Sequence, residues 1–173
     1  GDPVQLFAGP PRFLHGAVPG ELSENGCVAG NRCAEGALFE PALEALARCW
    51  NRLDPELLAP WLGDDVRYES PAAELFLFGR PAVLEYLRRK VARIEEAGEA
   101  ARIRAELGWV RTAGGGRRGC VISSQGEVER AALFLVGVAG DGRIERIEVC
   151  TRDPDPGLAD GSGIVPGERD SGI

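Results

Sequence analysis

Residues 41–71 read PALEALARCWNRLDPELLAPWLGDDVRYESP. Leu43, Leu46, Trp50 and Leu53 recur at helical spacing and predict one apolar stripe. Asp54-Pro55 restarts the chain, with Asp54 suited to cap a new short helix and Pro55 to its first position. Leu57, Leu58, Trp61 and Leu62 give that short helix its own apolar face. After Asp64-Asp65, the run Val66-Arg67-Tyr68-Glu69-Ser70 alternates as a strand does, and Pro71 ends it.

The rest of the chain extends this pattern. Leu75, Phe76, Leu77 and Phe78 are apolar in a row, readable as a short strand, an inserting lid or core filling. Residues 81–97 predict the clearest helix, with Val83, Leu87, Val91 and Ile94 as its buried stripe. Arg88, Arg89, Lys90 and Arg93 cluster toward its end, where positive charge suits the helix dipole, and read as a solvated face. Four strands follow, at about 102–109, 119–124, 128–139 and 143–152, with turns at Gly114-Gly115-Gly116 and Asp141-Gly142. The triple glycine is a hairpin tip, because no helix and no Gly-Lys-Ser/Thr follow it. Helices followed by an antiparallel meander give an α+β class.

The stretch AALFLVGV at 131–138 is apolar on both faces, so the sheet must be covered twice there. Helices supply one cover; a second subunit is the simplest other, and a homodimer is expected. Residues 1–36 are rich in Gly and Pro and read as an irregular arm, 37–152 as the domain, and 153–173 as a disordered tail.

Composition bounds the function. The 173 residues fit one domain with tails, and the net charge of −7 argues against nucleic acid or an anionic membrane as partner. No apolar run is long enough to span a membrane and no signal peptide is visible, so a cytoplasmic location is expected. Arginine carries nearly all the positive charge, and Lys90 is the single lysine. Of five cysteines, Cys49, Cys120 and Cys150 fall on predicted elements where buried free thiols are common. Cys27 and Cys33 flank a loop and are open to a bridge, a clip or neither. No His/Cys/carboxylate cluster suggests a metal, and no cofactor motif is present.

The order helix, helix, strand, with Trp50-Asn51, Asp54, Leu57-Leu58, the turn Leu62-Gly63-Asp64-Asp65-Val66, Tyr68, Pro71 and the glycine-led helix start Gly79-Arg80-Pro81-Ala82-Val83, resembles the nuclear transport factor 2-like superfamily. Within it, the SnoaL-like and ketosteroid-isomerase-like members are nearest, over about residues 37–152. The resemblance implies a cystatin-like α+β barrel: a cone of curved antiparallel sheet wrapped around about three N-terminal helices. A pocket would lie between the two.

It also implies where chemistry would sit. Ketosteroid isomerases carry an aspartate base immediately before the proline; here that position is Ser70, a hydroxyl too weak to act alone. Their oxyanion tyrosine falls at Leu46, and no aspartate lies between Asp65 and Asp141 to supply the second donor. The last-strand aspartate of limonene-epoxide-hydrolase-like members falls at Val149. Arg104 with Glu106, or Arg130 with Glu129, are substitutes in type, although charged pairs on a strand are more often solvent ladders. Dehydratase-like relatives rely on histidine, and the one histidine, His15, lies in the arm. Ketosteroid isomerase activity is therefore not expected.

Trp50, Trp61 and Trp109 read as core or as ligand walls. Tyr68, Ser70 and Thr151 would add hydroxyls to a mostly apolar pocket. Three readings follow: binding of a small apolar or mixed-polarity molecule at Leu46, Trp50, Trp61, Tyr68, Ser70, Trp109, Val149 and Thr151; an isomerase, cyclase or hydrolase with unfamiliar residues; or a protein-interaction module without ligand.

Overall fold

A computed structural model describes residues 39–168. Helix α1 spans Pro41–Arg52 and buries Leu43, Leu46 and Trp50 on one stripe, as the spacing predicts. The chain leaves α1 through Leu53, whose left-handed backbone ends the helix. The expected second helix is two single 3-10 turns, Pro55–Leu57 and Ala59–Trp61. Pro60 has no N–H to donate back to Glu56, so the turn that Pro55 starts cannot continue as a longer helix. Asp54 caps the first turn, its Oδ1 accepting from the Glu56 N–H at 3.0 Å.

Strand β1 is Leu62–Ser70 and β2 is Leu75–Phe78. Helix α2 covers Arg80–Ala97. Strands β3 Ile103–Arg111, β4 Arg117–Gln125, β5 Val128–Val138 and β6 Ile144–Cys150 follow, with a two-residue β7 at Asp160–Gly161. They form one seven-stranded sheet in the order β2-β1-β6-β5-β4-β3-β7. The architecture is α+β, with the helices packed on one face of the sheet. Two details differ from the expectation. The sheet is mixed, because β1 runs parallel to β6, and it is not closed. Among the described residues the helical layer is two α-helices and short turns.

Cross-strand register orders the inner face into rows. One row runs Leu77, Tyr68, Ile147 and Val136 across β2, β1, β6 and β5. Beyond it, Leu75 pairs with Ser70 across β2 and β1, and Val149, Phe134, Val121 and Leu107 form a row across β6, β5, β4 and β3. Helix α1 lies over these rows: the Trp50 and Phe134 rings sit 5.6 Å apart. Gly119 leaves room for this crossing, since a Cβ there would stand 2.9 Å from Leu43 Cδ1. Asn51, next to Trp50, ties α1 to β3 by mimicking a strand: its side chain accepts from the Ala105 N–H at 2.7 Å and donates to the Ala105 carbonyl at 2.8 Å.

The outer face of the sheet carries a second apolar cluster of Val110, Cys120, Ile122, Leu133, Leu135, Cys150 and Ala159. Leu133 and Leu135 are the outward half of the two-faced stretch at 131–138, and they are buried within the single chain. The cover expected from a second subunit comes instead from the segment after Arg152, whose turn Pro156–Leu158 packs on β5. That segment was expected to be disordered. Through Glu168 it is bonded to the domain: β7 pairs with β3, the Leu107 N–H donates to the Ile164 carbonyl at 2.9 Å, and Asn51 Nδ2 donates to the Pro166 carbonyl at 2.8 Å. Residues 1–38, with the arm, His15, Cys27 and Cys33, lie outside the described residues, as does the end of the tail beyond Glu168.

Candidate functional site

Strand alternation sends Val66, Tyr68 and Ser70 inward from β1, and all three are buried. The parallel register pairs Glu69 with Glu148, so the residues that follow, Ser70 and Val149, stand at the same end of β1 and β6; Val149 opposes Phe134, and Trp50 stands over Phe134. Leu46 is one helical turn before Trp50 on the same buried stripe. Five of the eight residues singled out in the sequence are thus fully enclosed in one region: Leu46, Trp50, Tyr68, Ser70 and Val149. Trp61 is partly buried against the same core. Thr151 is half-buried one row beyond Val149. Trp109 stands apart, on β3, three strands beyond β6, which at about 4.8 Å per strand is some 19 Å from Tyr68 along the sheet. It is held between the Phe39 ring, 4.5 Å away, and the Arg117 guanidinium, 5.0 Å away.

Two atoms in the enclosed region have no hydrogen-bond partner: Trp50 Nε1 and Ser70 Oγ. A buried donor without a partner costs about 1–3 kcal/mol, and most such groups in folded proteins are satisfied. The buried polar and charged side chains among the described residues are Ser70, Lys90, Ser123 and Gln125, with no carboxylate among them. The Ser123 hydroxyl donates to the Ala132 carbonyl at 3.2 Å.

Two residues at this site escaped the sequence reading. Lys90, assigned there to a solvated face, is 5 % exposed, and its Nζ donates to Tyr86 Oη at 3.1 Å. Its position was legible: Lys90 stands three residues after Leu87 and four before Ile94, on the buried stripe of α2. The charge cluster around it hid that spacing. Tyr86 precedes it by one turn, and the Tyr86 and Tyr68 rings lie tilted with centroids 5.1 Å apart. Burial, reinforced by Tyr86, holds the Tyr68 phenol well above its ordinary range. Burial raises Tyr86 as well. Burial, with Arg93 nearby, brings the Lys90 ammonium down to about 7. Burial also pushes the Cys49 thiol up to about 12, which leaves it a protonated, inert group.

Two open grooves among the described residues lie elsewhere. One, of about 1070 Å³, lies between the last turn of α1, the 3-10 turn Gly98–Ala101 and the outer side of β3, β4 and the start of β5, and includes Asn51, Arg104, Glu106 and Arg130. Arg104 there pairs with Glu106 and Glu168, both at 3.3 Å, and Arg130 donates to the Ala159 carbonyl. The ion pair Arg104–Glu106 and the residues Glu129 and Arg130 therefore line this open groove and are not part of the enclosed region of Tyr68 and Ser70. The other groove, about 480 Å³, is bounded by the start of β1 and the β5–β6 turn. Among the described residues no group of three or more His, Cys, Asp or Glu is placed to hold a metal ion. None of the described helices is long and apolar enough to cross a membrane.

No protein-family model matches the chain, and no curated protein matches it. Solved structures do. A protein with a ketosteroid isomerase-like fold from Catenulispora acidiphila, solved with trimethylamine, is 15% identical; the match covers 65% of this chain and 85% of that one at a TM-score of 0.47. The epoxide hydrolase/cyclase-like enzyme SalBIII, described in pyran ring formation in salinomycin, is 17% identical over 63% of this chain and 86% of its own, TM-score 0.45. A SnoaL-like protein of unknown function from Burkholderia thailandensis is 18% identical over 65% and 97%, TM-score 0.42. At such identities the likeness is one of fold and assigns no residue a role. The solved structures that this chain is similar to are described as SnoaL-like, ketosteroid-isomerase-like and NTF2-like proteins.

Proposed function

We propose that the domain binds a small, mostly apolar molecule carrying an oxygen acceptor, between α1 and the inner face of the sheet. The observation that carries this reading is the pair of buried donors, Trp50 Nε1 and Ser70 Oγ, left without partners in an apolar interior. A ligand oxygen seated between Trp50, Ser70 and Tyr68 would satisfy them, with Leu46 and Val149 as its apolar walls. The region is closed to water, so a ligand must displace side chains to enter. Strand β2 is the element suited to yield, since it bonds to β1 on one side and its Leu75 and Leu77 are only partly buried over this core. The lack of a buried carboxylate among the described residues favours binding over proton-transfer catalysis.

The test is a calorimetric titration with cyclohexanol, which has one oxygen on an apolar ring. Ser70→Ala is expected to weaken binding about threefold to tenfold, the value of one hydrogen bond. The same variant is expected to keep or raise the melting temperature without ligand, because it removes an unsatisfied buried hydroxyl. Equal affinity in both proteins contradicts the reading.

A second reading, docking of a protein, is favoured by Phe76 and Phe78. They alternate outward on edge strand β2 and are 67% and 62% exposed. Self-association through this edge is where the expected homodimer would now be sought, given that the outer face of β5 is covered within the chain.

A further inference from the structure

We propose that Lys90 is a carbonyl-reactive amine, and that the molecule admitted to this region is a small aldehyde or ketone. The inference rests on the small-molecule reading above and narrows it to one chemical class. Its basis is a cluster of groups. Lys90 Nζ is bonded to Tyr86 Oη at 3.1 Å, Tyr86 packs on Tyr68, and Tyr68 precedes Ser70 by two residues on the same strand face. An amine, two phenols and an unpartnered hydroxyl thus follow one another through an apolar interior. Tyr86 is only partly buried, so this line of groups approaches the surface at α2.

The protonation state suits the chemistry. With the ammonium brought down to about 7, roughly half the Lys90 side chains are neutral at pH 7. An ordinary lysine is neutral about once in three thousand at that pH. The Lys90 nitrogen lone pair attacks the carbonyl carbon and forms a C–N bond. The C=O π pair moves to the oxygen, which takes the Tyr86 phenolic proton, and the nitrogen returns one of its protons to the Tyr86 oxygen. The carbinolamine hydroxyl then takes a proton from Tyr86 and leaves as water, while the nitrogen lone pair forms the C=N bond. The second nitrogen proton restores Tyr86. Amine and carbonyl become imine and water, with no oxidant or reductant.

A single lysine makes the test unambiguous. The full chain is incubated with cyclohexanone at pH 7.5, reduced with borohydride and mapped by peptide mass spectrometry. The expected result is one cyclohexyl group on Lys90, formed faster than on N-acetyl-lysine amide. Tyr86→Phe is expected to slow trapping about a hundredfold, as loss of a general acid does. Lys90→Arg, which keeps a positive charge, is expected to leave only adducts at the N-terminal amine. The proposal is overturned if Lys90 is unmodified in the folded protein yet modified in urea. Cyclohexanol separates the two claims: if it binds while Lys90 stays unmodified, the amine chemistry fails and the small-molecule reading stands. If it does not bind either, both fail.

Discussion

At the scale of single residues, Lys90 and Asn51 show how a polar side chain is used once it leaves water. Lys90 is held neutral more readily in the fold than in the unfolded chain, so between pH 7 and its ordinary value of 10.5 the unfolded state binds more protons. Stability should therefore rise with pH across that window, by an amount on the order of a few kcal/mol if Lys90 acted alone. Above about pH 8 the raised cysteines, and at higher pH the raised tyrosines, act in the opposite sense, because the unfolded chain loses their protons first. The clean window is about pH 7 to 8. Chemical denaturation there should show rising stability in the wild type and a flatter curve in Lys90→Met. A parallel slope in the two proteins would mean that another group titrates. Asn51 satisfies both backbone groups of Ala105 and one of Pro166. Asn51→Ala leaves these at a part-buried sheet edge and is expected to cost about 2–3 kcal/mol, read from the denaturation midpoint. A change under 0.5 kcal/mol would mean that water replaces the side chain.

At the scale of elements, the segment after Arg152 is the part of the fold that the sequence concealed. Its Asp-Pro-Asp-Pro-Gly start has the composition of a disordered tail, and nothing periodic follows. Its order comes from elsewhere, in glycines that permit close approach. A Cβ at Gly108 would stand 2.6 Å from the Asp160 carbonyl, and one at Gly161 would meet the Glu106 carboxylate. Such long-range fits have no local signature. Gly108→Val is therefore expected to release β7, with faster hydrogen exchange at Gly161 and Ser162 and little change in α1. Unchanged protection there would show that the segment is held by Ser162 and Pro166 alone. Ending the chain at Arg152 should bare Leu133 and Leu135 and drive association or loss of stability. By contrast, α1, α2 and β3 to β6 were legible, because helical stripes and strand alternation are local patterns that burial enforces. The turn region 55–61 was misread as a helix, since its apolar spacing fits one while its prolines do not.

At the scale of the whole molecule, the sheet has two faces with different fates. The inner face holds the helices and the unpartnered donors; the outer face is closed by the chain's own end. Strand parity put Tyr68 and Ser70 on one face and helix spacing put Leu46 and Trp50 on one stripe, while the family resemblance set those surfaces opposite each other and singled out Val149. The sequence grouped Trp109 with them wrongly in distance, since strand order, which separates β3 from β1, is not a local property. Assembly follows from the same two-faced arrangement. If the chain self-associates, sedimentation should show it lost in Phe76→Ser/Phe78→Ser; a dimer that survives both changes would place the contact off β2.

The central claim, that the interior between α1 and the sheet receives a small molecule, is tested most directly by making Trp50 the only tryptophan. In a Trp61→Phe/Trp109→Phe protein, Trp50 emission reports on an indole whose N–H has no partner. Titration with cyclohexanol should shift that emission saturably as the N–H gains an acceptor, and Ser70→Ala should move the midpoint to higher concentration. An emission spectrum that stays constant while the protein remains folded, at concentrations where cyclohexanol binds elsewhere on the chain, would contradict the account.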